Sequence, residues 1–170
     1  MIIWITGLSG SGKTTISKEL FKKYKPKIKN LVCVDGDVIR NLYDNDLAYD
    51  EKSRIKQIIR VQNLCDYLNQ QGLIVIVAAL YNNVDLMQWN RKKFKNYYQI
   101  YLNASIELVK KRDPKKLYYK YEKGLQNNIV GIDIPWHKPI NSDLTIDMTE
   151  KTNKEEVIEI IERHLGIFRD

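Results

Sequence analysis

The fold is decided by the stretch Gly7-Leu8-Ser9-Gly10-Ser11-Gly12-Lys13-Thr14. It fits G-x-x-x-x-G-K-[ST], the pattern of a phosphate-binding P-loop. The apolar run 2–6 before it predicts a buried strand, and 15–21 after it predicts an amphipathic helix. A strand, a glycine loop and a helix in this order direct backbone N–H groups and the positive end of the helix dipole at one point. The stretch therefore predicts a phosphate-binding site, in which Lys13 reaches the β- and γ-phosphates and the Thr14 hydroxyl holds Mg²⁺.

Length and composition limit the class of protein. The chain has 170 residues, which favours one domain over 1–170. It shows neither a signal peptide nor an apolar run long enough to cross a bilayer, so we expect a cytoplasmic protein without a membrane partner. Its two cysteines, Cys33 and Cys65, lie in apolar segments and predict buried thiols rather than a disulfide or metal site. The net charge of +7 suggests anionic partners, or simply a lysine-rich composition.

Four further apolar runs predict strands, and helical patterns lie between them. The longest helix is predicted over 51–70 and is followed by Gly72 as a C-cap, while Asn153 would cap a final helix. This alternation predicts a three-layer α/β fold of the P-loop type, with a central parallel sheet of about five strands. The predicted strands after the first are 31–34, 73–78, 97–102 and 144–146.

The segment 112–141 interrupts the alternation and is here called the lid segment. It is basic and aromatic at first and carries Pro135 and Pro139 later. Such an insertion is typical of a lid that excludes water during phosphoryl transfer. We expect Arg112 to close over the phosphate donor.

Two carboxylates follow the second predicted strand, in Asp35-Gly36-Asp37. Parallel strands bind ligands at their carboxyl ends, so both would lie beside the P-loop. One could order Mg²⁺ and the other could accept a proton from an attacking hydroxyl. We assign Asp35 to the metal and Asp37 to the hydroxyl, although the two could exchange roles. Arg40, one turn into the next helix, could bind a substrate phosphate.

The chain resembles the adenylylsulfate (APS) kinase family over nearly its whole length. The resemblance is carried by GLSGSGKTT at 7–15, DGDVIR at 35–40, GLIVIVA at 72–78, RDPKKLY at 112–118, and Gly131-Ile132-Asp133 followed by Pro135. It implies a kinase that uses ATP and Mg²⁺ to phosphorylate the ribose 3′-hydroxyl of a nucleotide bearing a small anionic group. It also suggests a homodimer.

The resemblance and the motifs together predict the binding residues. The expected ATP-binding residues are Gly10, Ser11, Gly12, Lys13, Thr14, Thr15 and Arg112. The expected metal ligands are Thr14 and Asp35. The expected catalytic residues are Lys13, Asp35 and Asp37. The expected acceptor-binding residues are Asp37, Arg40, Tyr49, Arg54, Arg60, Lys116 and Ile129.

The departures from the family pattern concentrate in the acceptor half. The family's F-S-x-x-D-R-x-x-N stands here as 49–57, which keeps Arg54 but has Tyr49, Ser53 and Gln57. Its I-S-P-Y-R is replaced by 80–84, which removes a serine and an arginine. The family's F-T-G-I stands here at 129–132 as I-V-G-I. The aromatic ring expected against adenine is therefore absent, and with it a stacking contact worth about 1–3 kcal/mol per base.

These departures favour a changed acceptor. Cytidine diphosphoramidate, in capsule biosynthesis, would keep the ribose 3′-hydroxyl and the anhydride with a smaller base. The alternative is a true APS kinase whose acceptor half has drifted. A GTPase-type switch is a weaker alternative, since the third strand ends in Ala78-Ala79 without D-x-x-G. Nucleic-acid binding is motivated only by the charge, so we expect a small nucleotide as partner and no nucleic acid.

Overall fold

A five-stranded parallel sheet forms the centre of the protein in a computed structural model that describes residues 1–168. The order across the sheet is β2-β3-β1-β4-β5, and each neighbouring pair runs parallel. All five strands predicted from the sequence are therefore present. They are β1 (Ile2–Thr6), β2 (Leu31–Asp35), β3 (Ile74–Ala78), β4 (Tyr97–Asn103) and β5 (Leu144–Asp147).

Seven α-helices and a short 3₁₀ helix connect and cover the strands of the described chain. The predicted helix over 51–70 is confirmed to the residue, and the Asn153 side chain caps the last α-helix by accepting a hydrogen bond from the Glu156 N–H. The helices are α1 (Lys13–Tyr24), α2 (Gly36–Leu42), α3 (Glu51–Gln70), α4 (Val84–Lys93), α5 (Ile106–Arg112), α6 (Leu117–Glu122), α7 (Lys154–His164) and the 3₁₀ helix Gly166–Phe168.

Both faces of the sheet are buried, because successive residues of β1 point to opposite sides. Ile2 and Trp4 pack with α3 and α4 on one side. Ile3 and Ile5 pack with α1 and α7 on the other. The structure thus confirms the predicted three-layer α/β fold and explains why β1 and β3 are continuously apolar.

The register of the sheet brings three chemically important segments to one edge. Asp35 of β2 is level with Ala78 of β3, and Ala78 is level with Ile5 of β1. The P-loop, the start of α2 with Asp37, and residues 79–81 all follow these strand ends. Segments that are far apart in the chain therefore meet at the carboxyl edge, where ligands of such sheets bind.

The lid segment contains α6 and then an irregular stretch held by a bridge between Val130 and Ile134. Ile129 and Val130 are almost completely buried in the core on the α3 side of the sheet. The later half of the lid segment is therefore anchored to the body of the protein.

Two predictions from composition can be compared with the structure. Both cysteines are free, with Cys65 buried as predicted and Cys33 only half-buried. No helix within residues 1–168 combines the length and the apolar character needed to span a bilayer.

Candidate functional site

A cleft of about 180 Å³ opens at the carboxyl edge of the sheet, between the P-loop and the start of α3. The P-loop forms one end, here called the donor end. Residues of α2, α3 and the segment after β3 form the other, the acceptor end. The cleft brings together most of the predicted site residues, namely Gly10, Gly12, Lys13, Thr14, Thr15, Asp35, Asp37, Arg40, Tyr49 and Arg54.

The P-loop conformation depends on its glycines. Gly12 caps α1 with φ +105°, a conformation that residues with a side chain rarely adopt. Gly7 has φ +152°, and a Cβ there would lie 2.6 Å from the Leu102 carbonyl oxygen. The Lys13 ammonium donates a hydrogen bond of 2.8 Å to the Leu8 carbonyl, which holds its side chain back along the loop.

The Lys13 ammonium is desolvated, although it lies on the cleft wall. Burial lowers the pKa of Lys13 from the ordinary 10.5 to about 8, while Asp37 raises it and Lys115 lowers it further. A buried ammonium that has lost its hydration water is stabilised when an anion binds to it. The position of Lys13 on the cleft wall therefore suits it to bind a polyphosphate.

This depressed pKa predicts how stability depends on pH. Between about pH 8 and pH 10.5 the unfolded chain holds more protons at Lys13 than the folded chain, because only the folded pKa is lowered. The free energy of unfolding should therefore rise with pH through this window on account of Lys13. Denaturant unfolding of the wild type and Lys13→Met at several pH values should show the variant more stable below pH 8, with the difference closing toward pH 10.5. A difference that stays constant across the window would contradict the prediction.

Thr14 and Asp35 form a pair of oxygen ligands beside Lys13. The Thr14 hydroxyl donates to Asp35 Oδ2 at 2.6 Å, and Asp35 Oδ1 accepts from the Asp37 N–H at 2.9 Å. Residues 1–168 hold no group of three or more His, Cys, Asp or Glu side chains arranged around a metal position. The donor set fits Mg²⁺, which binds through one or two protein oxygens and completes its shell with phosphate and water.

Asp37 forms an ion pair with Lys115 across the mouth of the cleft. Both side chains are more than half exposed, at 63% and 58%, so the pair can open without a large cost. Lys115 was not among the predicted site residues, although it lies between the predicted Arg112 and Lys116. No pattern in the sequence distinguishes Lys115 from its neighbouring lysines, but in the structure the preceding Pro114 lines the cleft and lies beside Gly10.

Two buried arginines lie at the acceptor end. Arg40 donates to the carbonyls of Leu47 and Ala48, and Arg54 donates to those of Tyr49 and Asn128. Neither guanidinium forms a salt bridge with any residue in the described range 1–168.

The two guanidiniums lie close to each other and to one ring. Burial, and then repulsion from Arg40, lowers the pKa of Arg54. The Tyr49 ring lies 4.6 Å from the Arg40 guanidinium and 5.5 Å from that of Arg54, which orders all three side chains. Two buried cations that form no salt bridge within residues 1–168 favour an anionic ligand.

The comparison with protein families decides how this cleft is classified. Residues 1–147 match the model of the adenylylsulphate kinase family. The chain belongs to that family. It is therefore a phosphotransferase of the APS-kinase type, and this membership gives no support to the GTPase alternative.

Individual relatives agree with the family assignment. The chain is 40% identical over 166 residues to cytidine diphosphoramidate kinase of Campylobacter jejuni, covering 98% of this chain and 96% of that protein. It is 32% identical over 167 residues to adenylyl-sulfate kinase of Clostridium acetobutylicum, covering 96% and 84%. The APS kinase of Mycobacterium tuberculosis, solved in complex with AMPPNP and APS, superposes with a TM-score of 0.87 at 27% identity and covers 97% and 96%.

In this APS-kinase-family chain, two predicted site residues near the cleft are engaged elsewhere. Ser11 is completely buried beneath the P-loop, where its N–H donates to the Leu8 carbonyl. Arg60 forms a bidentate pair with Asp46, with N–O distances of 3.0 and 2.8 Å, and lies over the Tyr43 ring. Neither side chain lines the cleft, because Ser11 faces the interior and Arg60 has a local carboxylate.

The lid segment holds the other predicted residues that lie off the cleft wall. Arg112 donates to the Thr149 carbonyl at 2.8 Å. Lys116 precedes α6 as its N-cap residue, in a left-handed conformation with φ +53°. Ile129 is 1% exposed and packs in the core, so the structure corrects its expected position against the acceptor base. An isoleucine gains more from this apolar interior than from an open cleft.

Two further cleft residues were missed by the prediction. The Gln57 amide donates to the Gly36 carbonyl at 3.1 Å, which fastens α3 to the start of α2, where Asp37 lies. Tyr81 lines the acceptor end, and its hydroxyl donates to Glu51 at 2.7 Å. Both stand where the sequence departs from the family pattern, and that departure was the available signal.

Proposed function

We propose that this chain transfers the γ-phosphoryl group of ATP to the ribose 3′-hydroxyl of a nucleotide anhydride, with cytidine diphosphoramidate preferred to APS. The proposal rests on one observation above all. Arg40 and Arg54 are buried, form no salt bridge within residues 1–168, and line the same cleft as the P-loop and Asp37. A donor polyphosphate and an anionic acceptor would therefore meet at a carboxylate.

The donor end supplies positive charge and a place for the metal. Lys13 would exchange its bond to the Leu8 carbonyl for the β- and γ-phosphates. Thr14 and Asp35 would hold Mg²⁺, which when bound with ATP neutralises charge on the transferring group. Lys115 extends from the lid segment toward the same point and would add a second cation after leaving Asp37.

The acceptor end positions the attacking hydroxyl. Arg40 and Arg54 would bind the anionic groups of the acceptor, and the exposed side of the Tyr49 ring would contact its base. Asp37 would accept the 3′-hydroxyl proton as the ribose oxygen forms its bond to the γ-phosphorus. The bond from that phosphorus to the β-phosphate oxygen breaks at the same time, and ADP leaves.

The preference for the cytidine compound is supported by the acceptor half of the sequence. Ile129 stands where the family has an aromatic ring, and it lies in the core. The relative that is 40% identical carries the name cytidine diphosphoramidate kinase. A true APS kinase remains the alternative, supported by the 32% identity to adenylyl-sulfate kinase of Clostridium acetobutylicum.

An acceptor panel tests this proposal. ADP release would be followed with ATP and Mg²⁺ against cytidine diphosphoramidate, APS, CDP, ADP and no acceptor. We expect the highest kcat/KM for cytidine diphosphoramidate and no turnover with its 3′-deoxy analogue. Phosphorus NMR of the product should show a new phosphomonoester coupled to H3′.

The other outcomes of the panel have definite meanings. A higher kcat/KM for APS would establish the alternative and attribute the acceptor-half departures to drift. Full turnover of the 3′-deoxy analogue would exclude the 3′-hydroxyl as the acceptor. ADP release that does not depend on any acceptor would contradict the proposed reaction.

A further inference from the structure

Tyr81 lines the acceptor end of the cleft. It follows β3 by three residues, and its side chain is 2% exposed although it lines the cleft wall. Its hydroxyl donates to Glu51 Oε1 at 2.7 Å. Burial raises the pKa of Tyr81, so the phenol stays neutral and its O–H continues to donate the hydrogen bond to Glu51. The ring is therefore held in one position.

Glu51 is exposed and lies beside the acceptor end, in contact with Tyr81, without itself lining the cleft. It is the first residue of α3, and Arg54 and Ile58 lie three and seven residues later on the same helix face. Both of those residues line the cleft. Only Oε1 of Glu51 is engaged by Tyr81, and Oε2 makes no hydrogen bond within residues 1–168. One carboxylate oxygen is thus fixed and the other is available.

From this geometry we propose that the Tyr81–Glu51 pair selects the base of the acceptor. The Tyr81 ring limits the depth of the cleft, so that a single six-membered ring fits and a fused purine does not. The Glu51 carboxylate accepts a hydrogen bond from an amino group on that base, as carboxylates do from the N4 amine of cytosine. This inference rests on the function proposed above and names the part of the site that sets its substrate.

Two features support assigning the selection to this pair. The family has the small serine of I-S-P-Y-R in the segment that carries Tyr81 here, so the ring is a departure that adds bulk. The donor end does not need it, since Lys13, Thr14 and Asp35 are held by other contacts. A pyrimidine with a carbonyl in place of the amine would present an acceptor to a carboxylate and should be rejected.

Three variants separate the steric part from the polar part. Tyr81→Ser removes the ring, Tyr81→Phe keeps the ring and frees Glu51, and Glu51→Gln removes the charge. Tyr67→Ser is the matched control, because Tyr67 is an exposed tyrosine of α3 outside the cleft. The measurement is kcat/KM for cytidine diphosphoramidate, its uridine analogue and APS, with KM for ATP as a check on the donor end.

We expect Tyr81→Ser to lower the ratio of kcat/KM for the cytidine compound to that for APS at least tenfold, with KM for ATP unchanged. Tyr81→Phe should keep most of that ratio. Glu51→Gln should lower the preference for cytidine over uridine at least fivefold, and Tyr67→Ser should change neither. If Tyr81→Ser unfolds at a much lower temperature, Tyr81→Leu gives the same test with an apolar side chain.

The outcome that overturns this inference is seen in the variants. A cytidine-to-APS ratio within twofold of wild type in both Tyr81→Ser and Tyr81→Leu, with normal KM for ATP, would show that Tyr81 does not select the base. Failure of the proposed function is seen in the wild type itself, as a preference for APS or as no acceptor-dependent turnover. A wild type that prefers APS would overturn both statements.

Discussion

Replacing Lys13 with alanine should lower kcat by at least tenfold while the fold is retained. The expected loss is on the order of 100-fold, the effect of removing one preorganised charge from a developing anion. Lys13 is the residue of the donor end that the structure desolvates, so the variant loses a cation that water does not replace. The measurement is steady-state ADP release at saturating acceptor, with circular dichroism to confirm folding.

Lys18→Ala is the matched control for this experiment. Lys18 is an exposed lysine of the same helix, and it does not line the cleft. Replacing Lys18 should leave kcat within twofold of the wild-type value. Normal turnover in Lys13→Ala would exclude Lys13 from phosphoryl transfer, whatever its role in ATP binding.

Replacing Asp37 with asparagine should also lower kcat by at least tenfold. Asparagine preserves the size of the side chain and the N–H that bonds to Asp35, but it cannot accept the proton of the attacking hydroxyl. It also releases Lys115 from an ion pair that is exposed and opens at little cost, so the expected loss of turnover is attributed to the missing proton acceptor. The variant should keep KM for ATP near the wild-type value.

The control for Asp37 is Asp44→Asn. Asp44 is exposed, lies outside the cleft and has φ +52°, a conformation that asparagine adopts readily. Its substitution should leave both kcat and KM unchanged. Wild-type turnover in Asp37→Asn would contradict the role of Asp37 as the proton acceptor.

The two carboxylates can be distinguished by their dependence on Mg²⁺. Asp35 accepts a hydrogen bond from the Thr14 hydroxyl. Replacing Asp35 with asparagine should raise the Mg²⁺ concentration needed for the half-maximal rate. Asp37→Asn should lower the rate without changing that concentration. The reverse pattern would show that the two residues exchange roles, which the sequence left open.

The sequence predicted the fold well because the signals for it are local. A parallel strand covered on both faces must be continuously apolar, as β3 is, and a long helix such as α3 carries its periodicity and its caps in adjacent residues. The same holds for Lys13, Thr14, Asp35 and Asp37, which stand in two short motifs at strand ends. Parallel pairing then brings those motifs together at one edge.

The positions of the remaining site residues depended on packing between distant parts of the chain. Lys115 lies in the lid segment 78 positions beyond Asp37, and Tyr81 lies 30 positions beyond Glu51. No periodicity in the sequence relates such residues. Ile129, expected at the acceptor base, is instead drawn into the core, because burial of its apolar side chain outweighs any contact in the open cleft.

The sequence by itself therefore determined the sheet, the P-loop and the two short motifs that meet at the donor end of the cleft. These follow from hydrophobic pattern and from backbone geometry within a few consecutive residues. Only the tertiary structure decided which cations and rings of 40–141 lie on the cleft wall. Arg60, Arg112 and Ile129 lie off that wall, because the folded packing gives each of them another partner: a carboxylate, a carbonyl and the apolar core, respectively.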